Sequence, residues 1–335
     1  MSVATLDRHD SMSPRLSVVA PCYNEEEGLS EFVRRVTETC VANVGASYEI
    51  VLVNDGSRDK TWSIMQNLSA NDPHIVAINL SRNYGHQIAL TSGLQSARGE
   101  RILIIDADLQ DPPELLAPMM EKMDEGADVV YGQRRKREGE TLFKSLTAAI
   151  FYRVLRRLVD IEIPLDTGDF RLMTRRALDV LNSMPEQTRF IRGMVSWMGL
   201  KQVPLMYDRS ARFAGETAYP LSKMVRLAFD AITGFSITPL RIASYLGVAM
   251  GGLSLVMVGY TLLSWMFGSA VAGWTSLTSI VLLIGSTQLM VLGMFGEYLG
   301  RMYIETKRRP LYVVDSVIGR AHIATEAALT QRAAS

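Results

Sequence analysis

Residues 242–281 contain no Lys, Arg, Asp or Glu. A helix that crosses a bilayer takes about 20 apolar residues, and two runs of that kind follow one another here. The first is IASYLGVAMGGLSLVMVGYTLLSWMFG at 242–268; the second is WTSLTSIVLLIGSTQLMVLGMFGEYLG at 274–300, with Glu297 only near its end. They predict a transmembrane hairpin with helices over 239–268 and 274–303, against the alternative of a buried hairpin in a soluble protein. The connector GSAVAGWTS carries no Lys or Arg, whereas Arg226 and Arg241 precede the first run and Arg301, Lys307, Arg308 and Arg309 follow the second. The positive-inside rule then places both ends, and everything before them, on the cytoplasmic side of the inner (plasma) membrane. Gly247-x-x-x-Gly251 and Gly296-x-x-x-Gly300 would let helices pack closely, within the hairpin or between copies in a homo-oligomer.

The chain before the hairpin alternates strand and helix. RLSVVAP (15–21), YEIVLVND (48–55), HIVAINL (74–80), ERILIIDA (100–107) and ADVVYGQ (127–133) are apolar runs of strand length. Helical patterns separate them; over 25–41, Leu29, Phe32, Val33, Val36 and Cys40 recur at helix spacing behind Glu25, Glu26 and Glu27, whose charge suits a helix N-terminus. Five strands joined by four helical crossovers predict an α/β domain over 15–218 with a parallel sheet covered on both faces. Ligands of such sheets sit at the carboxyl ends of the strands, where Pro21 to Glu25, Asn54 to Ser57 and Asp106 to Asp108 all fall. Residues 1–14 lack an apolar signal region and read as a disordered tail. The stretch 304–335 reads as a cytoplasmic tail, disordered beyond about Val314. Lys and Arg number 35, as do Asp and Glu, a balance that gives no sign of nucleic acid as partner. Cys22 and Cys40 are the only cysteines, which fits a reducing compartment without a disulfide framework.

Within IIDADLQDPPE (104–114) the apolar strand breaks into acids. A proline-started helix capped by acids accounts for Asp111. It does not account for Asp106 and Asp108, which alternation puts on one side of the chain, where like charges repel unless a cation lies between them. No G-x-G-x-x-G follows the first strand and no G-x-x-x-x-G-K-[ST] occurs. The alternative way to hold a nucleotide diphosphate is a divalent cation on paired carboxylates, which these two aspartates could supply.

VVAPCYNEEEGL, LVNDGSRDKT and IDADLQDPPE, in this order, resemble the nucleotide-diphospho-sugar transferases of glycosyltransferase family 2, with the GT-A fold. LSRNYGHQIALTSGL and DTGDFRLMTRRALD sharpen the resemblance to the polyprenyl-phosphate glycosyltransferases, the bactoprenol glucosyltransferase and dolichol-phosphate mannosyltransferase group, over roughly residues 15–310. The resemblance implies an inverting, metal-dependent hexosyltransferase acting in cell-envelope glycan modification. Its donor would be a nucleotide sugar, UDP-glucose rather than GDP-mannose on the strength of the NYGHQ run, and its acceptor polyprenyl (undecaprenyl) phosphate. It implies that Pro21, Tyr23, Asn24 and Glu25 line the nucleotide pocket and that Asp55 contacts base or ribose. Asp106 would lie by the diphosphate; Asp108 and Gln110, with Asp106, would carry Mg²⁺ or Mn²⁺. Asp169, in GDFR, matches the catalytic aspartate. The expected contacts to the acceptor phosphate are Arg134, Arg135 and Arg137 after the fifth strand, with Arg171 and Arg212. The chain departs from the family at Thr217-Ala218-Tyr219, where a Ser-Lys-Tyr run is common.

Two amphipathic stretches, 142–158 and 219–238, suit either packing on the sheet or the membrane surface. His86 reads equally as a core histidine and as a ligand contact. A processive polysaccharide synthase is the second reading, disfavoured by the absence of Q-x-x-R-W and by only two spans. A non-catalytic membrane scaffold is the third, disfavoured by the intact Asp106, Asp108 and Asp169.

Overall fold

The computed structural model describes residues 13–135, 167–208, 238–266 and 274–319. They form two compact units, an α/β unit closed by residues from Pro310 onward and a helical unit that ends at Arg309.

The α/β unit runs β1 (Leu16–Cys22), α1 (Leu29–Val44), β2 (Tyr48–Asn54), α2 (Thr61–Asn71), β3 (Ile75–Leu80), α3 (His86–Ser96) and β4 (Arg101–Ile104). There follow a short 3₁₀ turn (Pro113–Leu115), α4 (Leu116–Asp124), β5 (Val129–Arg134), β6 (Thr167–Thr174), α5 (Arg175–Ser183), α6 (Ile191–Trp197) and β7 (Gln202–Tyr207). Every residue of β1 and β2 is buried, which is why both read as unbroken apolar runs. Helix α1 buries Leu29, Phe32, Val33, Val36 and Cys40 on the sheet, the stripe expected from its spacing. It starts at Leu29 rather than at Glu25. The Glu25 and Glu26 amides instead donate to Thr61 Oγ1 and Asp59 Oδ2, at 2.9 and 3.2 Å, so the first turn of the expected helix becomes a loop.

The sheet order is β7-β5-β6-β4-β1-β2-β3-β8, with β8 at Val314–Ile318. Strands β4, β1, β2 and β3 are parallel neighbours as expected. The fifth expected strand is not their neighbour: β6 enters antiparallel between β4 and β5. That insertion makes the site. Its register pairs Ile104 with Arg171, which brings residue 169 level with residue 106 at the carboxyl edge of β4. Strand β8 corrects the expectation of disorder beyond Val314. It pairs antiparallel with β3, and Asp315 accepts from Asn79 Nδ2 at 3.0 Å; the edge of β3 offers the backbone partners that a sequence window cannot show.

In the helical unit, α7 (Thr238–Met266) and α8 (Trp274–Lys307) are 29 and 34 residues long. The side chains of Ser254, Met257 and Leu262, among others, lie outside the described residues. Among the described residues alone, no helix is long and apolar enough to cross a membrane. The expected surface segments 142–158 and 219–238, the latter up to residue 237, lie outside the described residues, as do Arg137, Arg212 and Thr217-Ala218-Tyr219.

Candidate active site

Strand β4 releases the chain at Ile104, and the turn that follows carries the acids. Leu109 is buried with φ of 59°, a left-handed conformation uncommon outside glycine. It folds the turn back so that the Gln110 amide donates to Asp108 Oδ1 at 3.1 Å. Asp106 Oδ1 is buried and has no hydrogen-bond partner; His86 Nε2 stands 3.6 Å away. Burial pushes the Asp106 carboxyl up to about 6; His86 opposes the rise, while Asp169, Asp111 and Asp108 add to it. A buried carboxylate oxygen that faces one imidazole at ion-pair distance but accepts no hydrogen bond, with other acids near it, has room for a further positive charge. A divalent cation fits it. Among the described residues no group of three or more His, Cys, Asp or Glu is placed to hold a metal, so an ion here would complete its shell from the ligand and water.

Asp111 does not cap a helix. It is 1% exposed and accepts from the Tyr207 hydroxyl, while the 3₁₀ turn that follows has no side-chain cap. Its partner lies on β7, so tertiary contact overrides the local cap signal.

Asp169 sits at the start of β6 and is 3% exposed. Its Oδ2 accepts from Gln87 Nε2 at 2.8 Å and meets His86 Nε2 at 3.1 Å. Its Oδ1 accepts from Arg192 Nε at 3.0 Å, with Arg171 Nη2 at 3.8 Å. Burial by itself would raise this carboxyl, but Arg192, His86 and Arg171 together hold it well below the usual range. His86 rises to about 9: burial opposes the shift, and Asp169 and Asp106 overcome it. The site is thus an alternation of charges, Asp106, His86, Asp169 and Arg192, along one edge.

The expected arginines divide. Arg171 is 4% exposed and donates from Nε and Nη2 to the Asp169 and Gly168 carbonyls, at 3.2 and 3.1 Å. It stiffens the strand end beneath Asp169 and does not face solvent. Arg134 is half-buried; a Cβ on Gly168 would lie 3.0 Å from its Nη2, so this guanidinium rests on the residue next to Asp169. Arg135 is exposed and 3.9 Å from Asp208.

At the ends of β1 and β2 the loops lock together. Pro21 is buried in β1, and Tyr23 is exposed just beyond it. Asn24 has φ of 55°; its amide donates to Ser57 Oγ at 3.0 Å and its Oδ1 accepts from the Arg58 amide at 2.9 Å. Asn24, Glu25, Glu26, Glu27, Arg58 and Asp59 line an open cavity of about 420 Å³. Asp55 is buried and accepts from the Tyr84 and Gly85 amides at 2.7 and 2.9 Å. Both its oxygens therefore hold the loop that leads into His86. Burial raises its carboxyl and the two amides pull it back. Gly56 has φ of 64°, and a Cβ there would come within 2.5 Å of the Asn83 nitrogen. Gly56→Ala should therefore part this turn from the Asn83 loop and cost about 1–3 kcal/mol. A fall in Tm together with a raised donor KM would show it; an unchanged Tm would contradict it.

Gln87 and Arg192 carry no role in the sequence reading. Gln87 was visible as part of NYGHQ at the productive sheet edge, whereas nothing in RFIRGMVSW marks Arg192, whose place depends on contacts made far away in the chain.

The sequence matches the family model described as glycosyl transferase family 2 over residues 17–181. It is 48% identical over 304 residues to the uncharacterized glycosyltransferase YkcC of Bacillus subtilis (strain 168), covering 90% of this chain and 94% of that one. It is 39% identical over 304 residues to the prophage bactoprenol glucosyl transferase homolog of Escherichia coli (strain K12), covering 90% and 99%. Among solved structures, S. aureus TarS 1-349 in complex with UDP-GlcNAc aligns over 69% of this chain and 71% of that one, with a TM-score of 0.46 and 18% identity.

Proposed function

The chain belongs to glycosyl transferase family 2, and from that premise we propose that it transfers one sugar, with inversion, from a nucleotide diphosphate donor to polyprenyl phosphate at the cytoplasmic membrane face. The observation that carries the acceptor is the likeness to bactoprenol glucosyl transferases, which spans 98–99% of those proteins and so reaches well past the catalytic domain. UDP-glucose is the favoured donor for the same reason.

Asp106 and Asp108, with Gln110 beside them, are the residues that would hold Mg²⁺ or Mn²⁺; the buried Asp106 oxygen that accepts no hydrogen bond supports that reading. A bound divalent cation supplies Lewis-acid neutralisation of the departing diphosphate. The protein's own groups do the rest. Asn24 and Glu25 line the cavity assigned to the donor, Pro21 and Tyr23 precede them at the end of β1, and Asp55 holds the loop that leads into His86. Asp169 stays ionised and fixes its arginines and His86 in place. Arg134 and Arg135 at the end of β5 face the acceptor side, where charge-assisted contacts to phosphate are strong.

A membrane hairpin supports this chemistry, because a long polyprenyl tail leaves the bilayer only at high cost and its phosphate must meet the enzyme at the surface. At 1.5 Å per residue, α7 and α8 reach about 43 and 51 Å, more than the roughly 30 Å hydrocarbon core. Val248 and Leu255 are 76% and 75% exposed in the isolated chain, surface that a lipid environment would cover. In this account, cysteines at Trp274 and Lys307 are labelled from opposite sides of the membrane, the first from outside the cytoplasm. The native background is low, since Cys22 and Cys40 are both buried. Labelling of both from one side would remove the two-span arrangement.

The donor is tested by offering UDP-glucose, GDP-mannose and other UDP-sugars with polyprenyl phosphate to the purified protein. The expected result is fastest transfer from UDP-glucose and a product that stops at one sugar. Preference for GDP-mannose would shift the donor assignment, and a growing polymer would shift the reading to a processive synthase.

A further inference from the structure

Near the carboxyl edge of the sheet a row of polar residues crosses three strands. Register sets Asn54 of β2 beside Asn79 of β3, and Asn79 beside Ser316 of β8. Asn54 is 3% exposed, and a buried carboxamide is costly unless its hydrogen bonds are made. Here they are. Asn54 Oδ1 accepts from the Ser57 amide at 3.2 Å, and Asn54 Nδ2 donates to Asn79 Oδ1 at 2.7 Å. Asn79 Nδ2 in turn donates to Asp315 Oδ2 at 3.0 Å. Asp315 reaches that amide from a β-bulge: Asn79 pairs with Ser316 and Leu80 with Val314, which leaves Asp315 as the extra residue of β8. A bulge re-aims a side chain, and this one sets a carboxylate at the end of the row.

The bonds of this row run in one direction only. A carboxylate accepts and does not donate, a backbone N–H donates and does not accept, and a carboxamide does both. With Asp315 at one end, Asn79 turns its NH₂ toward β8 and its oxygen toward Asn54. Asn54 then gives its own NH₂ to Asn79 and its oxygen to the Ser57 amide. Turning both carboxamides over would set an NH₂ against the Ser57 N–H. What lies past Ser57 is the wall of the open cavity. Ser57 Oγ accepts from the Asn24 amide at 3.0 Å, and the Arg58 amide donates to Asn24 Oδ1 at 2.9 Å. Asn24 and Arg58 both line the cavity. Holding Ser57 therefore holds Asn24, whose φ of 55° is a conformation that bonds of this kind keep in place.

We propose that Asn54 and Asn79 are positioning residues for the donor, and that Asp315 on β8 sets the direction of their bonds and so shapes the Asn24–Arg58 wall of the cavity. That the cavity takes the donor rests on the proposed function; the row of bonds does not. The test uses the full chain in detergent, as wild type, Asp315→Asn, Asp315→Lys and Asn79→Leu. An amide oxygen still accepts from Asn79, so Asp315→Asn should match wild type. A lysine only donates, which turns both carboxamides over, and Asn79→Leu removes the middle of the row. Each of these two should raise the UDP-glucose KM roughly threefold to tenfold, the loss of about one neutral hydrogen bond, with kcat and the polyprenyl phosphate KM within about twofold. If Asp315→Asn is as harmful as Asp315→Lys, or the acceptor KM rises as far as the donor KM, β8 merely supports the sheet and the proposal falls. Hydrogen exchange over residues 54–60, measured without ligand, separates the row from the donor because it needs no turnover. Faster exchange there in Asp315→Lys and Asn79→Leu, with no UDP bound by any form, keeps the row as the support of the cavity wall and removes only the donor. Should Asp315→Lys unpair β8, exchange quickens at Ser81, whose amide donates to the Val313 carbonyl at 3.0 Å. Asn79→Leu leaves that backbone pairing in place and must then give the pattern by itself. Unchanged exchange over 54–60 in Asn79→Leu overturns the proposal whatever the cavity binds.

Discussion

Chelation of divalent cations should abolish sugar transfer, and Asp108→Asn should reproduce that loss in a protein that remains folded. The departing nucleotide diphosphate carries concentrated negative charge, and the acids of the DAD turn would worsen it without a cation between them. Removing one charge-stabilising group from a preorganised site typically costs 10²–10³-fold in rate, roughly 3–4 kcal/mol. Asp106 adds a pH signature. Its carboxyl is pushed up to about 6 by burial, with Asp169, Asp111 and Asp108 adding to the rise. Protons therefore compete with the cation below that pH; affinity for Mg²⁺ or Mn²⁺ should rise with pH through about 6 and level off above it. A metal titration at several pH values reads this directly. Full activity in chelator, or an affinity that falls with rising pH, would remove the metal assignment.

Asp169→Asn should slow the reaction by a comparable factor, roughly 10²–10⁴-fold, for a reason other than lost base catalysis. Arg192, His86 and Arg171 overcome the burial that would raise this carboxyl and hold it well below the usual range, which makes it a weak base at neutral pH. A phosphate acceptor also has little proton to give up, since the second pKa of a monoester is about 6. The carboxylate's work is to anchor Arg192, His86 and Gln87. An asparagine would set an NH₂ among those donors and loosen them. The sign of the remaining pH dependence follows. Wild type and variant should both gain rate as pH rises through about 6, where the acceptor becomes a dianion, while Asp169 stays ionised throughout. The profile is taken at saturating metal, so that Asp106 is occupied and does not contribute its own limb. An acidic limb present in wild type and absent in Asp169→Asn would assign it to Asp169 and restore the general base.

Much of the α/β unit could be read from the sequence because its strands are buried on both faces. The runs that became β1, β2 and β3 needed no partner to be recognised, and a parallel sheet brings their polar ends to one edge. The paired acids were visible because a strand seldom ends in two carboxylates on one side. What escaped depends on partners distant in the chain. Strand β6 inserts between β4 and β5, and no local pattern states that its Asp169 will stand level with Asp106. Asp111 looked like a cap until Tyr207, 96 residues later, claimed it. Strand β8 is a short polar segment whose reason to be extended is the open edge of β3. Arg192 lies in an ordinary helical run, and no local pattern announces its bond to Asp169 on another element.

In the proposed reaction the lipid's phosphate, not a hydroxyl, receives the sugar. The direct measurement is to incubate the purified protein with UDP-glucose and Mg²⁺, supplying polyprenyl phosphate in one reaction and the corresponding polyprenol in another, and to weigh the extracted lipids. The expected result is a single added hexose on polyprenyl phosphate, none on polyprenol, and none in either reaction with Asp108→Asn. A hexose found on polyprenol, or polyprenyl phosphate left unchanged by an enzyme that consumes UDP-glucose, would contradict it.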